Sequence, residues 1–366
     1  MIKLRGMTWN HPRGIDPLLA HARQFALPRG IEIEWDARLL EDFEAFPLDE
    51  LASRYDLLVI DHPHVGMAAE SGCLLALDEL GRDVHRDTVG HSQESYFYEG
   101  QQWALAIDAA AQVSARRAGS MNVWPTSWDE VIELGRSGRM LCPLSPVHAL
   151  MCFYTLCANG GHPCATTGAE LVYRSVGEEA LEQLVTIARL VPDSCLSMNP
   201  IDVLERMSSD EQLVYAPLVY GYVSYARDGF REARIEFGNI PQVCGSALGG
   251  TGIAVSARSL SREAAVEVAF DLASSETQRG LYASHGGQPV HLAAWDDDVV
   301  NKQSHDFYRN TRATLDASYV RPRFDGYVAF QEAAGKLVVL AIRRELSIAS
   351  AVARLNELFV EAQPNT

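Results

Sequence analysis

The chain has 366 residues, 47% hydrophobic and 22% charged, with a formal net charge of −17. Its length suggests two domains rather than one, and the acidic balance argues against a nucleic-acid partner, whose phosphates need a basic face. No stretch approaches the roughly 20 apolar residues of a membrane-spanning helix, so no membrane insertion is expected.

From the N-terminus, residues 2–9 read as a strand that begins at once. Residues 1–7 hold no basic leader followed by an apolar run and a small-residue cleavage site. The chain as it stands therefore reads as cytoplasmic, or as periplasmic or extracellular if a leader was removed. The seven cysteines, odd in number and set mostly in apolar segments, are expected to be reduced and buried.

The spacing from Pro17 to about Leu27 predicts a helix, and the alternation of Ile31-Glu32-Ile33-Glu34-Trp35 a half-buried strand. A helix is expected over 43–54. Residues 55–60 then form an apolar run of the kind covered on both faces. This βαβαβ order implies a parallel sheet with helices on both sides. Ligands of such sheets sit beyond the carboxyl ends of the strands. Two His-Pro corners, His11-Pro12 and His62-Pro63, fall at those ends.

Further along, 100–108 reads as a strand leaving the first lobe, and Ser127 with Glu130 as a capping box opening a helix. Arg139 to Pro143 is expected as a short strand and Val147 to Ala158 as an apolar helix stopped by Asn159-Gly160-Gly161. Helices near 178–191 and 200–212 precede a buried strand over 213–225. A glycine-rich stretch, 245–252, leads into Ile253-Ala254-Val255-Ser256. Helices are expected over 261–284, 303–316 and 325–361.

In this order the pattern resembles the extracellular solute-binding proteins of ABC importers. The resemblance rests on the strand start at 2–9, on Gly100-Gln101-Gln102-Trp103-Ala104-Leu105-Ala106-Ile107-Asp108, and on Pro125-Thr126-Ser127-Trp128-Asp129-Glu130. Ala158-Asn159-Gly160-Gly161, Gly249 to Val255, Thr277-Gln278-Arg279-Gly280 and Gly286-Gly287-Gln288-Pro289 extend it over nearly the whole chain. It implies an α/β, two-lobed, periplasmic-binding-protein-like type II fold with a hinged interlobe cleft. Residues 1–108 plus 246–302 would form one lobe, 109–245 the other, and 303–366 helices packing across both. A small polar or anionic solute would bind in the cleft, without cofactor or metal, and an ABC permease would be the partner if the protein is exported. The N-terminus lacks the family's secretion leader and lipoprotein cysteine, and histidines at the cleft lip are unusual for it.

The candidate ligand contacts follow. Trp9, His11 and Arg13 form the first group, because the residue before proline is held extended and an anion is favoured where Arg13-Gly14 precede a helix. Asp61, His62 and His64 form the second. Asp108 sits at the crossover, Tyr220 on a second-lobe strand, Gly250 in the glycine-rich return, and Arg321 offers a planar fork for carboxylate or phosphate. A carboxylate beside His62 would raise its pKa and burial would lower it, so binding is expected to change between about pH 5 and 8. The alternative is a cytoplasmic enzyme on the same scaffold, with His11, Asp61 and His62 in acid–base or metal-assisted chemistry.

Overall fold

The computed structural model describes residues 1–40, 47–84, 87–166 and 169–364. Strand β1 (Ile2–Trp9) is followed by helix α1 (Pro12–His21), strand β2 (Ile31–Arg38) and strand β3 (Leu57–Ile60). β1 runs parallel to β2, with Ile2 opposite Ile31 and Trp9 opposite Arg38, and parallel to β3 on its other side. All four residues of β3 are buried, as its continuous apolar run requires. β2 exposes Glu32 and Glu34 at the sheet edge. Of the helix expected over 43–54, residues 43–46 lie outside the described residues, and Leu48–Ala52 is helical.

α1 begins five residues earlier than its apolar spacing predicts. Pro12 occupies the first turn, where its missing N–H is not needed. His11 is extended, and its Nδ1 accepts the Arg13 backbone N–H at 3.1 Å. Pro17 lies inside the helix, and after His21 the chain widens into a π-type turn over Ala22–Ala26. The second His-Pro corner has the same use. The Asp61 side chain accepts the His62 N–H and starts a 3₁₀ turn, His62–His64, that runs into the helix Val65–Ser71. Both corners are helix starts.

Strand β4 (Leu105–Arg117) is 13 residues long. After it come helix α2 (Pro146–Asn159), strands β5 (Tyr215–Tyr220), β6 (Ile235–Gly238), β7 (Ser246–Val255) and β8 (Ser318–Tyr319), then helices α3 (Tyr327–Ile342) and α4 (Ile348–Ala362). The sheet order is β2-β1-β3-β7-β4-β5, with β6 also on β4 and β8 also on β7. The end of β7 pairs antiparallel with β3, from Ile60–Gly252 to Leu57–Val255. The start of β4 pairs with β7, and its end pairs with β5 and β6. β4 and β7 thus run through two half-sheets, one in each lobe, and link them. The expected boundary at 108/109 falls inside β4.

Several elements differ from their sequence expectation. Residues 139–143 contribute a single bridge, Met140 to Tyr215, rather than a strand. The strand expected over 213–225 stops at Tyr220 and turns into a 3₁₀ segment, Val223–Ala226. The glycine-rich return is itself strand, because β7 starts at Ser246. The helix expected over 261–284 is Arg262–Leu272 followed by short turns, and 325–361 is broken where Arg344 takes φ +61°. The capping box of Ser127 and Glu130 is present. α3 packs on α2 and touches the His62–His64 turn. A Cβ at Gly335 would stand 2.5 Å from the Pro146 carbonyl carbon, so this crossing requires glycine. All seven cysteines are free thiols, with Cys244 exposed and the others buried.

The β4–β7 crossing is distorted where the lobes meet. The register shifts between Ala106 and Asp108, and Gly250 takes φ +96° with the Asp108 carbonyl against it. L residues pay in strain at such a φ, and here a side chain would also meet backbone. Gly250→Ala should lower stability by about 1–3 kcal/mol in urea unfolding. Gly280→Ala, with open space around its Cβ, should change it by less than about 1 kcal/mol. Equal effects would show that the crossing carries no strain.

Candidate functional site

A cavity lies where β1, β3, β4 and β7 meet α2 and the end of β5. Its lining comprises Trp9, Arg13, Leu40, Asp61, Ala110, Val147, His148, Met151, Pro200, Tyr220, Tyr222, Gly249, Gly250, Thr251, Arg321 and Gln331. Trp9 ends β1 and lies on Gly14, where a Cβ would stand 2.5 Å from the indole. Tyr220 ends β5 and lies over Gly249 in the same way, at 2.6 Å. The two glycines are what allow the two rings to lie so near the backbone.

Two buried ion pairs frame the cavity. Arg13 donates from Nε to Asp108 Oδ2 at 2.9 Å and from Nη2 to Asp108 Oδ1, and its Nη1 reaches the Gly221 carbonyl at 2.7 Å. Its guanidinium also lies 4.5 Å from the Tyr222 ring centroid, a cation–π contact. Burial opposes the charge on Arg13, but Asp108 outweighs it and keeps the guanidinium protonated. Burial likewise raises the pKa of Asp108 against the pull of Arg13. Both of its oxygens nevertheless accept from the guanidinium, a bidentate pairing that favours the carboxylate. The second pair is Arg321 Nη2 to Asp61 Oδ2 at 2.7 Å. Arg321 also donates to the Leu248 carbonyl at 3.2 Å and to Gln331 Oε1 at 2.9 Å. Burial works against ionisation of Asp61, yet Arg321 and His62 hold its carboxyl well below the usual carboxylate range.

Arg13 therefore ties α1 to β4 and to the carbonyl just beyond β5. Gln288 makes a parallel tie. Its Nε2 donates to the Ala109 carbonyl at 2.5 Å, and its Oε1 accepts the Val223 N–H at 3.0 Å. These contacts hold the lobes together around the cavity.

Of the residues singled out from the sequence, Trp9, Arg13, Asp61, Tyr220, Gly250 and Arg321 line the cavity. His11, His62, His64 and Asp108 do not. Asp108 stands behind Arg13. The His11 ring packs 4.8 Å from that of Tyr222 and 6.0 Å from that of Tyr225. His62 is fully buried, with its Nδ1 3.2 Å from Asp61 Oδ1 and its ring 6.3 Å from that of Tyr96. His64 Nδ1 sits 3.0 Å from the Asp61 carbonyl oxygen. His11 and the Asp61–His62 pair thus have separate neighbours. Among the described residues no three His, Cys, Asp or Glu side chains gather as a metal site would require.

Burial decides the histidine charges, and at His62 it outweighs the rise that Asp61 gives. Burial first, then Arg321, pushes His62 down to about 4 despite Asp61. Burial, with Arg13 and Arg231, pushes His11 to about 3. His148 and Thr251 were not foreseen as site residues. The available signal was a histidine one turn into an otherwise apolar helix. Burial and then Arg321 push His148 to about 3, so it is neutral.

No protein-family model matches the sequence, and no curated protein matches it. Solved structures do. T. maritima MalE3 with bound maltose superposes with a TM-score of 0.84 at 16% identity, covering 98% of this chain and 99% of that one. An ABC transporter solute-binding protein from Thermotoga lettingae, bound with α-D-tagatose, gives 0.83 at 16%, covering 99% and 100%. Another from Agrobacterium vitis, with D-mannitol, gives 0.77 at 13%, covering 99% and 98%. The chain has the two-lobed solute-binding-protein fold. In that fold the cavity lies between the lobes, and β4 and β7 are the strands that cross from one to the other. Among the described residues no helix is long and apolar enough to span a membrane.

The buried neutral histidines make stability depend on pH. Each has a folded pKa below its unfolded value of about 6.5. The stability they contribute is complete above that value and is lost as pH falls toward 4 and then 3. Parent protein should unfold progressively more easily below about pH 6. His11→Asn keeps a capping acceptor and removes one titrating group. It should reduce the slope of stability against pH between about 4 and 5.5 by about 1.4 kcal/mol per pH unit. An unchanged slope in urea titrations would mean His11 protonates freely in the folded state.

Proposed function

We propose that the protein captures a small, uncharged, polyhydroxylated solute, a sugar or polyol, in the interlobe cavity and closes on it. The observation that carries this reading is the composition of the lining. Aromatic faces from Trp9, Tyr220 and Tyr222 stand beside guanidinium and carboxylate groups whose charges already cancel in pairs. Sugars present apolar C–H faces to aromatic rings and hydroxyls to fixed polar groups. The maltose, tagatose and mannitol bound by proteins of this fold agree with that chemistry. An anionic solute would find both arginines already neutralised.

In this reading Trp9 and Tyr220 are stacking platforms, Arg13 and Arg321 donate hydrogen bonds to hydroxyls, Asp61 accepts them, and Gly250 lets backbone approach. Asp108 fixes Arg13, while His11 and His62 start the helices that carry the site and His64 packs behind it. Binding energy is used to favour the state in which Arg13 and Gln288 tie the lobes. If the protein is exported, an ABC permease receives the solute.

Calorimetry against D-mannitol, D-tagatose and maltose tests the reading. At least one should bind, and Tyr220→Ala should weaken it by about 1–2 kcal/mol. Small-angle scattering should give a smaller radius of gyration at saturation. Binding of amino acids or carboxylates with no heat from any sugar or polyol would overturn the solute class. A constant radius at saturation would remove the closing step.

A further inference from the structure

The cavity holds two polar side chains that the fold does not otherwise use. His148, one turn into α2, is 5% exposed, and Thr251, on β7, is 7% exposed. Neither His148 Nδ1 nor Thr251 Oγ1 has a hydrogen-bond partner among the described residues. Folded proteins rarely leave such buried atoms unpaired. A solute hydroxyl at the cavity would pair both. One comes from a second-lobe helix and the other from a crossover strand, so they approach the space from two directions.

Charge narrows the solute. Arg13 with Asp108 and Arg321 with Asp61 balance, and an acidic solute would bring in a buried charge without an unpaired partner.

We infer that His148 and Thr251 are specificity-determining partners of an uncharged polyhydroxylated solute in this cavity, and that the cavity rejects sugar acids. This rests on the solute-capture reading above. Calorimetry on the full chain with D-mannitol, D-tagatose, D-glucose, maltotriose and D-glucuronate tests it. At least one of the four uncharged compounds should bind more than about a hundredfold tighter than glucuronate, a gap of about 2.7 kcal/mol. Thr251→Val and His148→Leu should each weaken that solute by roughly three- to tenfold. Each removes an unpaired buried polar atom, so the thermal midpoint of the unliganded variant should hold or rise. A purely structural role would lower the midpoint and leave affinity unchanged. Glucuronate binding as tightly as the uncharged compounds, or both variants binding like the parent, would overturn the inference and leave solute capture standing. If none of the five compounds binds, the capture reading itself falls.

Discussion

The hydrogen-bonded ladder between β4 and β7 is the constraint on which the site depends. These strands belong to both half-sheets, so the place where they cross is fixed relative to each lobe. Thr251, Gly250 and Gly249 lie in consecutive positions on one of them, and Asp108 to Ala110 on the other. The bulge after Ala106 and the left-handed Gly250 bend the pair at this point. Bulges locally sharpen the twist of a sheet and re-aim its side chains. Asp108 is thereby placed where Arg13 can grip it, and Tyr220 is placed over Gly249. Remove the crossing and the cavity has no floor.

The first lobe was largely legible in the chain. β1, β2 and β3 announce themselves through alternation or an unbroken apolar run, and parallel pairing follows from the helices between them. Ser127 and Glu130 gave a helix start that the structure reproduces. Legibility failed where long-range contact overrides local signal. The glycines at 249–252 look like a turn, but they sit in a strand because Tyr220 and the Asp108 carbonyl occupy the space a side chain would need. Arg344 breaks the last long helix at a residue with no sequence mark of a break.

The site was legible in part for the same reason. Trp9 and Asp61 sit at strand ends, which sheet topology directs to one edge. His148 and Thr251 belong to elements far apart in sequence, and only their shared cavity relates them. The His-Pro corners show how one motif supports two readings. Proline is tolerated in a first helical turn, and the extended residue that precedes that turn, His11 in one corner and Asp61 in the other, caps it. That local task aims His11 at Tyr222 and leaves the cavity to Trp9 and Arg13.

The charge-balanced cavity sits in a chain with a formal net charge of −17. The two act over different ranges. The surface field reaches about a Debye length, some 8–10 Å at ordinary ionic strength, and repels anions before they touch the protein. A neutral polyol diffuses through it without being slowed. Inside, paired charges are screened little by salt, so the grip on a neutral solute changes little as the medium becomes more saline. On the proposed reading the acidic exterior sorts approaching molecules by charge, and the interior is left to sort them by shape and hydroxyl pattern.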